Sequence, residues 1–134
     1  MRRTGSIQLT WAVAAAALAL GMAAAPAQGA RTSAEFLSPS GNIACQMETT
    51  FVICLLMNPP FHKATLNPRG HTAICNGPAC AGDLGEGKHG ILRYGHSIRV
   101  GRFRCTSRTT GMTCKVAKTG KGFRLNRTGV KRVG

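Results

Sequence analysis

Acidic residues are scarce in this chain: four Asp and Glu stand against eighteen Lys and Arg, and the formal net charge is +14. Asp83 is the sole aspartate and no Gly-x-Ser-x-Gly elbow occurs, so Ser-His-Asp hydrolysis has no foothold. Aromatics are few as well. Trp11, the one tryptophan, lies in an N-terminal apolar run, leaving Phe36, Phe51, Phe61, Tyr94, Phe103 and Phe123. That set supports only a small core. It also argues against base-stacking nucleic-acid recognition, which interleaves several aromatics with cations. A length of 134 residues allows one domain and excludes the large barrel scaffolds of about 250 residues.

The N-terminus has the layout of a secretory leader. Met1-Arg2-Arg3 is basic, Trp11 to Ala25 is apolar, and Ala25-Pro26-Ala27 offers small residues where a signal peptidase reads. Residues 1–27 are therefore expected to be removed, with residues 28–35 a flexible mature N-terminus and residues 36–134 a single domain. The apolar run is shorter than the roughly 20 residues that span a bilayer, so no transmembrane segment is expected after cleavage. No Cys follows the run to carry a lipid. The expected location is secreted, periplasmic or cell-envelope associated. All six cysteines lie in the exported part, and in an oxidising compartment they read as three disulfides, each contributing roughly 2–4 kcal/mol.

Charge is divided unevenly. Residues 28–87 hold three bases and four acids; residues 88–134 hold thirteen bases and no acid. Such asymmetry points to an anionic partner, a polymer or a cell-envelope surface. Arg99, Arg102, Arg104, Arg108, Lys115 and Lys118 form the candidate anion-binding set. Phe103 is the only aromatic among them, so diffuse electrostatic binding is expected rather than specific nucleic-acid readout.

Strand patterns dominate. Residues 43–45, 51–57, 91–94, 97–105, 122–126 and 129–133 read as strands, with the second buried on both faces. The apolar phase slips at Gly101-Arg102, as at a bulge. Residues 61–90 carry eight Gly and Pro and no sustained helical period, and they read as a long irregular central loop. The fold expected is mainly β: a small, disulfide-stapled antiparallel domain of hairpins.

The segments Cys45–Cys54 and Cys105–Cys114 have equal length and Thr-Thr at their centres. Facing residues in a hairpin have a constant index sum, so a turn centred on the threonines sets each Cys pair face to face. With two-residue loops each pair falls on a non-hydrogen-bonded site, where Cα atoms approach about 4.5 Å. Four-residue loops are an alternative, since Thr-Thr is not a favoured tight-turn pair. A three-residue loop at Gly111 would spoil the second register. The pairs expected are Cys45–Cys54, Cys105–Cys114 and, by elimination, Cys75–Cys80.

Several stretches resemble the signatures of a family of small secreted bacterial six-cysteine proteins, a domain of unknown function. They are Phe36-Leu-Ser-Pro-Ser-Gly-Asn-Ile-Ala-Cys45, Cys80-Ala-Gly-Asp83, Leu92-Arg-Tyr-Gly95, Gly101 to Cys114 and Gly120-Lys-Gly-Phe-Arg-Leu-Asn-Arg127. The likeness spans roughly residues 36–133. Lys121 stands where the family's closing signature has His, and Leu84 where its Asp motif continues with Thr. The resemblance implies secretion; a family of unknown function lends no activity and no catalytic residues.

Other chemistry fits less well. Gly85-Glu-Gly-Lys-His-Gly90 matches Gly-x-Gly-x-x-Gly, and residues 82–88 match the start of a phosphate loop. Neither has a strand before it and a helix after it, and His89 occupies the Mg²⁺-ligating Ser/Thr place. His71, Cys75, Cys80 and His89 can be written as zinc ligands, but the Cys spacing suits a disulfide better. A small basic nuclease would need a positioned acid/base pair; His62, His71, His89 and His96 are candidates without a distinguishing spacing. The leading expectation is a non-enzymatic extracellular domain that binds an anionic surface through its basic half, with no cofactor and no metal. A secreted nuclease-like hydrolase, or an inhibitor presenting residues 61–90 to a protein, is the alternative.

Overall fold

The computed structural model describes residues 30–85 and 87–134; the leader and its cleavage point lie outside them. Eleven strands follow in order: β1 (Ser33–Leu37), β2 (Ile43–Glu48), β3 (Val52–Leu56), β4 (His62–Leu66), β5 (Thr72–Asn76), β6 (Gly90–Ile91), β7 (Ser97–Val100), β8 (Phe103–Arg108), β9 (Gly111–Val116), β10 (Gly122–Asn126) and β11 (Gly129–Val133). A 3-10 turn at Pro78–Cys80 is the only helical element among the described residues. The strands form two sheets, ordered β5-β4-β3-β2-β1-β6 and β11-β10-β9-β8-β7. The fold is mainly β, and every pairing but one is antiparallel: β6 runs parallel to β1.

Alternation explains the layering. In β8, Phe103, Cys105 and Ser107 are buried while Arg104 and Arg108 are exposed, the period of two that a half-covered strand requires. Phe36, Cys45, Met47, Val52, Cys54, Leu56 and Leu66 from the first sheet meet Val100, Phe103, Met112, Cys114, Phe123 and Leu125 from the second in one core. Strands β3, β4 and β5 pack across it on β10 and β11.

Each half is a five-strand meander with the same devices in the same places. Cys45 faces Cys54 across β2–β3 and Cys105 faces Cys114 across β8–β9. Both hairpins turn on a two-residue Thr-Thr loop: Glu48 N–H donates to Phe51 C=O, and Arg108 faces Gly111. Both disulfides form, with Cα atoms 4.1 Å apart in each, the short separation of a non-hydrogen-bonded site. Cys75 bonds Cys80. Each half also ends on a Leu-Asn-x-x-Gly hairpin, Leu66 to Gly70 and Leu125 to Gly129. Asn67 Oδ1 accepts from the Arg69 and His71 amides, and Asn126 Oδ1 from the Thr128 amide. This is the Asx-turn chemistry that makes Asn a turn residue.

Four expectations need correction. The flexible N-terminus is too long, because Ser33–Glu35 pair with Glu48–Gln46 as part of β1; Phe36 is buried at the strand's far end and anchors it. The central segment is not one irregular loop, since β4 and β5 form a hairpin within it. Its inward residues include the small Ala64, which leaves a weak apolar signal. Gly101-Arg102 is a turn joining β7 to β8, not a bulge: Val100 faces Phe103, and Gly101 has the positive φ, 53°, that suits the first position of a tight hairpin turn. Of residues 91–94 only Ile91 lies in a strand.

The outer faces of the two sheets differ. On the first, Ala44, Leu55, Lys63 and Cys75 share a cross-strand row, yet Ala44 and Leu55 are buried. Gly82 lies beside Leu55 and Cys80 is 1% exposed. The Cys75–Cys80 bond thus fastens the segment after β5 over this face, which is why β3 reads as buried on both sides.

Candidate anion-binding face

The outer face of the second sheet carries the charge. Inward residues of β8, β9 and β10 are Phe103, Cys105, Met112, Cys114, Phe123 and Leu125, so the intervening positions point outward. Register then assembles a row across β7, β8 and β9: Arg99 faces Arg104, and Arg104 faces Lys115. The adjacent row runs Ser97, Thr106, Thr113, Arg124 and Lys131. Neighbouring strands lie about 4.8 Å apart and same-face residues of one strand about 6.6 Å apart, so the cations form a grid rather than a line.

Of the six predicted residues, Arg99, Arg104 and Lys115 come together in that first row. Arg108 ends β8 on the same face, at the Thr109-Thr110 turn. Arg102 and Lys118 lie in the turns at the opposite end, where the Arg102 carbonyl accepts from the Ala117 amide, and flank the face rather than belong to it. Arg124 and Lys131 were missed; the alternation of Phe123 and Leu125 in β10 was the signal that could have placed Arg124 outward. Arg132 is turned the other way and donates to the Thr72 carbonyl at 3.1 Å, tying β11 to β5.

Like charges directly opposed on neighbouring strands destabilise a sheet, on the order of tenths of a kcal/mol to about 1 kcal/mol per pair. Among the described residues no carboxylate offsets them here. Glu35 lies 3.3 Å from His89 Nδ1 and lines a concavity with Ser97 and Ile98 of β7 without an ion pair to the grid, Glu48 ends β2, and Asp83 accepts from the Gly85 amide. Ser97 and Thr106 hydroxyls are hydrogen-bonded to each other at 2.7 Å, and Arg99 Nε donates to the Gly101 carbonyl at 3.2 Å. Among the described residues the guanidinium ends of Arg104 and Arg124 have no hydrogen-bond or ion-pair partner.

The histidines do not form one cluster. His62 begins β4 and contacts Asn76 at 2.6 Å. His71 sits beyond the other end of β4, in the turn to β5. His89 precedes β6, four inter-strand steps from β4, roughly 19 Å away. Cys75 and Cys80 are joined, so the His71-Cys75-Cys80-His89 set cannot ligate zinc as thiolates. Among the described residues the glycine-rich stretch is followed by β6 and not by a helix, so it lacks the context of a phosphate loop. Cys45, Cys54 and Cys114 sulfurs also converge, but all three are in disulfides. No helix among the described residues is long and apolar enough to cross a membrane, and three disulfides fit an extracellular type of protein. Comparison with protein-family models, curated proteins and solved structures finds no match.

Proposed function

We propose that the protein is an exported domain that binds an anionic polymer or polyanionic cell-envelope surface through the outer face of its second sheet. The reading rests on one observation: Arg99, Arg104, Lys115, Arg124 and Lys131 share an uncovered sheet face, in cross-strand register, with no carboxylate among them. A broad flat grid of cations suits a partner that presents repeated negative charge over a surface. On the first sheet the Ala44–Leu55 row of the outer face is covered, whereas Arg99, Arg104 and Lys131 on the second are exposed. The basic start and apolar run at the N-terminus supply the route out of the cell. Binding of this kind needs no cofactor.

The test is binding of oxidised protein to nucleic acid, acidic polysaccharide and anionic vesicles across a salt series. The triple variant Arg99→Glu, Arg104→Glu, Lys115→Glu is expected to lose binding to the preferred polymer, and Arg99→Ala alone to lower the log-log salt slope by about one if that polymer is a nucleic acid. Retention of full affinity by the triple variant overturns the reading. Equal binding to all three classes that vanishes by about 150 mM salt, where the Debye length is near 8 Å, would reduce the face to generic charge.

A further inference from the structure

At one end of the sandwich a concavity of about 580 Å³ opens between the sheets, within the roughly 300–1,000 Å³ range of small-ligand sites. Its apolar floor includes Ile43 and Leu56, 7% and 2% exposed. Arg108, Arg124 and Arg127 stand around it with no acidic residue in the lining. Tyr94 lines the same space and is 44% exposed, the chain's one tyrosine and an aromatic left open to solvent in a lining that holds three arginines.

The rim is built rather than incidental. Asn126 Nδ2 donates to the Thr110 carbonyl at 3.0 Å and Asn126 Oδ1 accepts from Thr128, so one side chain locks the β8–β9 turn to the β10–β11 turn. Gly111 has φ +132°, and a Cβ there would run into the Leu125 carbonyl; β9 thus packs tightly on β10 at the rim, with Arg108 on β8 to one side and Arg124 on β10 to the other. Opposite, Ser38 Oγ accepts from the Ile43 amide and contacts Ser40 Oγ, while Asn42 Oδ1 accepts from Asn58 Nδ2. Tyr94 is placed by the Gly95 amide donating to the Ser107 carbonyl at 2.7 Å.

We propose that this concavity binds an anionic sugar unit, one carrying a carboxylate, sulfate or phosphate, at the end of an acidic polysaccharide. Guanidiniums hold oxyanions through paired hydrogen bonds, an exposed aromatic ring offers a flat apolar surface to a sugar ring, and Ser, Thr and Asn groups meet hydroxyls. One aromatic is too few for a run of stacked bases. The assignment rests on the proposed binding of anionic polymers, which it narrows: the outer face grips the polymer, and Arg108 and Arg124 carry that face into the pocket, which reads one unit.

The test uses the full oxidised protein, labelled selectively on tyrosine so that Tyr94 gives the only labelled ring signal. Probes are oligogalacturonate, a heparin-derived oligosaccharide and a single-stranded oligonucleotide of matched charge, in about 150 mM salt. One of the two oligosaccharides is expected to shift the Tyr94 signal and to bind at least about tenfold tighter than the oligonucleotide. Tyr94→Ala and Arg127→Ala, both away from the outer face, each should weaken it by about tenfold, the scale of one charge-assisted contact. Arg99→Glu with Arg104→Glu should weaken long polymers while sparing the short saccharide. No shift at Tyr94, an equal response to the oligonucleotide, or unchanged affinity in both pocket variants overturns the sugar site. If long-polymer binding still collapses on charge reversal of the face, the broader function survives that failure. If only the saccharide binds, the face reading falls and the pocket stands.

Discussion

Gly122 lies on the outer face of β10 opposite Lys115, at a place where a Cβ would collide with the Cys114 carbonyl and the Lys115 Cα. Its φ is not positive, so the demand is steric rather than conformational. Gly122→Ala is expected to cost about 1–3 kcal/mol through forced backbone shifts, read as a lowered denaturant midpoint. Arg104 makes the opposite case. Arg104→Glu would place a carboxylate between Arg99 and Lys115 and convert two repulsive cross-strand pairs into attractive ones. The fold should gain about 0.2–1 kcal/mol per pair while polyanion affinity drops, a pairing of effects that calorimetry and a binding isotherm can check. The inner cations of β7 to β9 were legible because each sits beside a buried stripe. Lys131 was not, since its place on the face follows from pairing with Arg124, which no single strand reveals.

Hairpins were the most legible elements. The constant index sum around Thr49-Thr50 and Thr109-Thr110 placed both Cys pairs, because a disulfide needs facing residues and a two-residue loop leaves one register. The β4–β5 hairpin escaped notice for a physical reason: His-Lys-Ala-Thr-Leu buries only Ala64 and Leu66, too little apolar surface to stand out among the nearby prolines and glycines. The staples differ in what they support. Cys45 and Cys54 are fully buried, and Cys54 Sγ contacts Cys114 Sγ at 3.6 Å. Replacing Cys45 and Cys54 by Ala should cost about 3 kcal/mol from the closed loop alone, with a further penalty for the core cavity. Replacing Cys75 and Cys80 should instead free the segment over Leu55, so that hydrogen exchange and proteolysis rise at residues 77–89 before global stability falls much. The Ser-Pro-Ser-Gly-Asn turn, Tyr94, the Thr109-Thr110 turn and the Leu-Asn-Arg-Thr turn are far apart in sequence, yet all reach the same end of the sandwich. That convergence is a property of two meanders packed face to face, and linear reading does not contain it.

At the scale of the whole molecule, two like meanders share a single core. Neither can bury its inner face alone, so residues 88–134 expressed by themselves are expected to stay unfolded, with no cooperative transition by circular dichroism. Charge follows the same division, with every base of the grid on one meander. The covalent structure does not. The three disulfides close loops of 9, 5 and 9 residues in sequence separation, and none of them joins one sheet to the other. Between its two ends the chain is therefore a thread with three small knots of slack withheld. Pulled from its termini, the oxidised protein would peel sheet from sheet and pay out most of its contour length, all but the 9, 5 and 9 residues behind the disulfides, as a force-extension trace would show. No covalent bond beyond the backbone would then hold one sheet to the other under load.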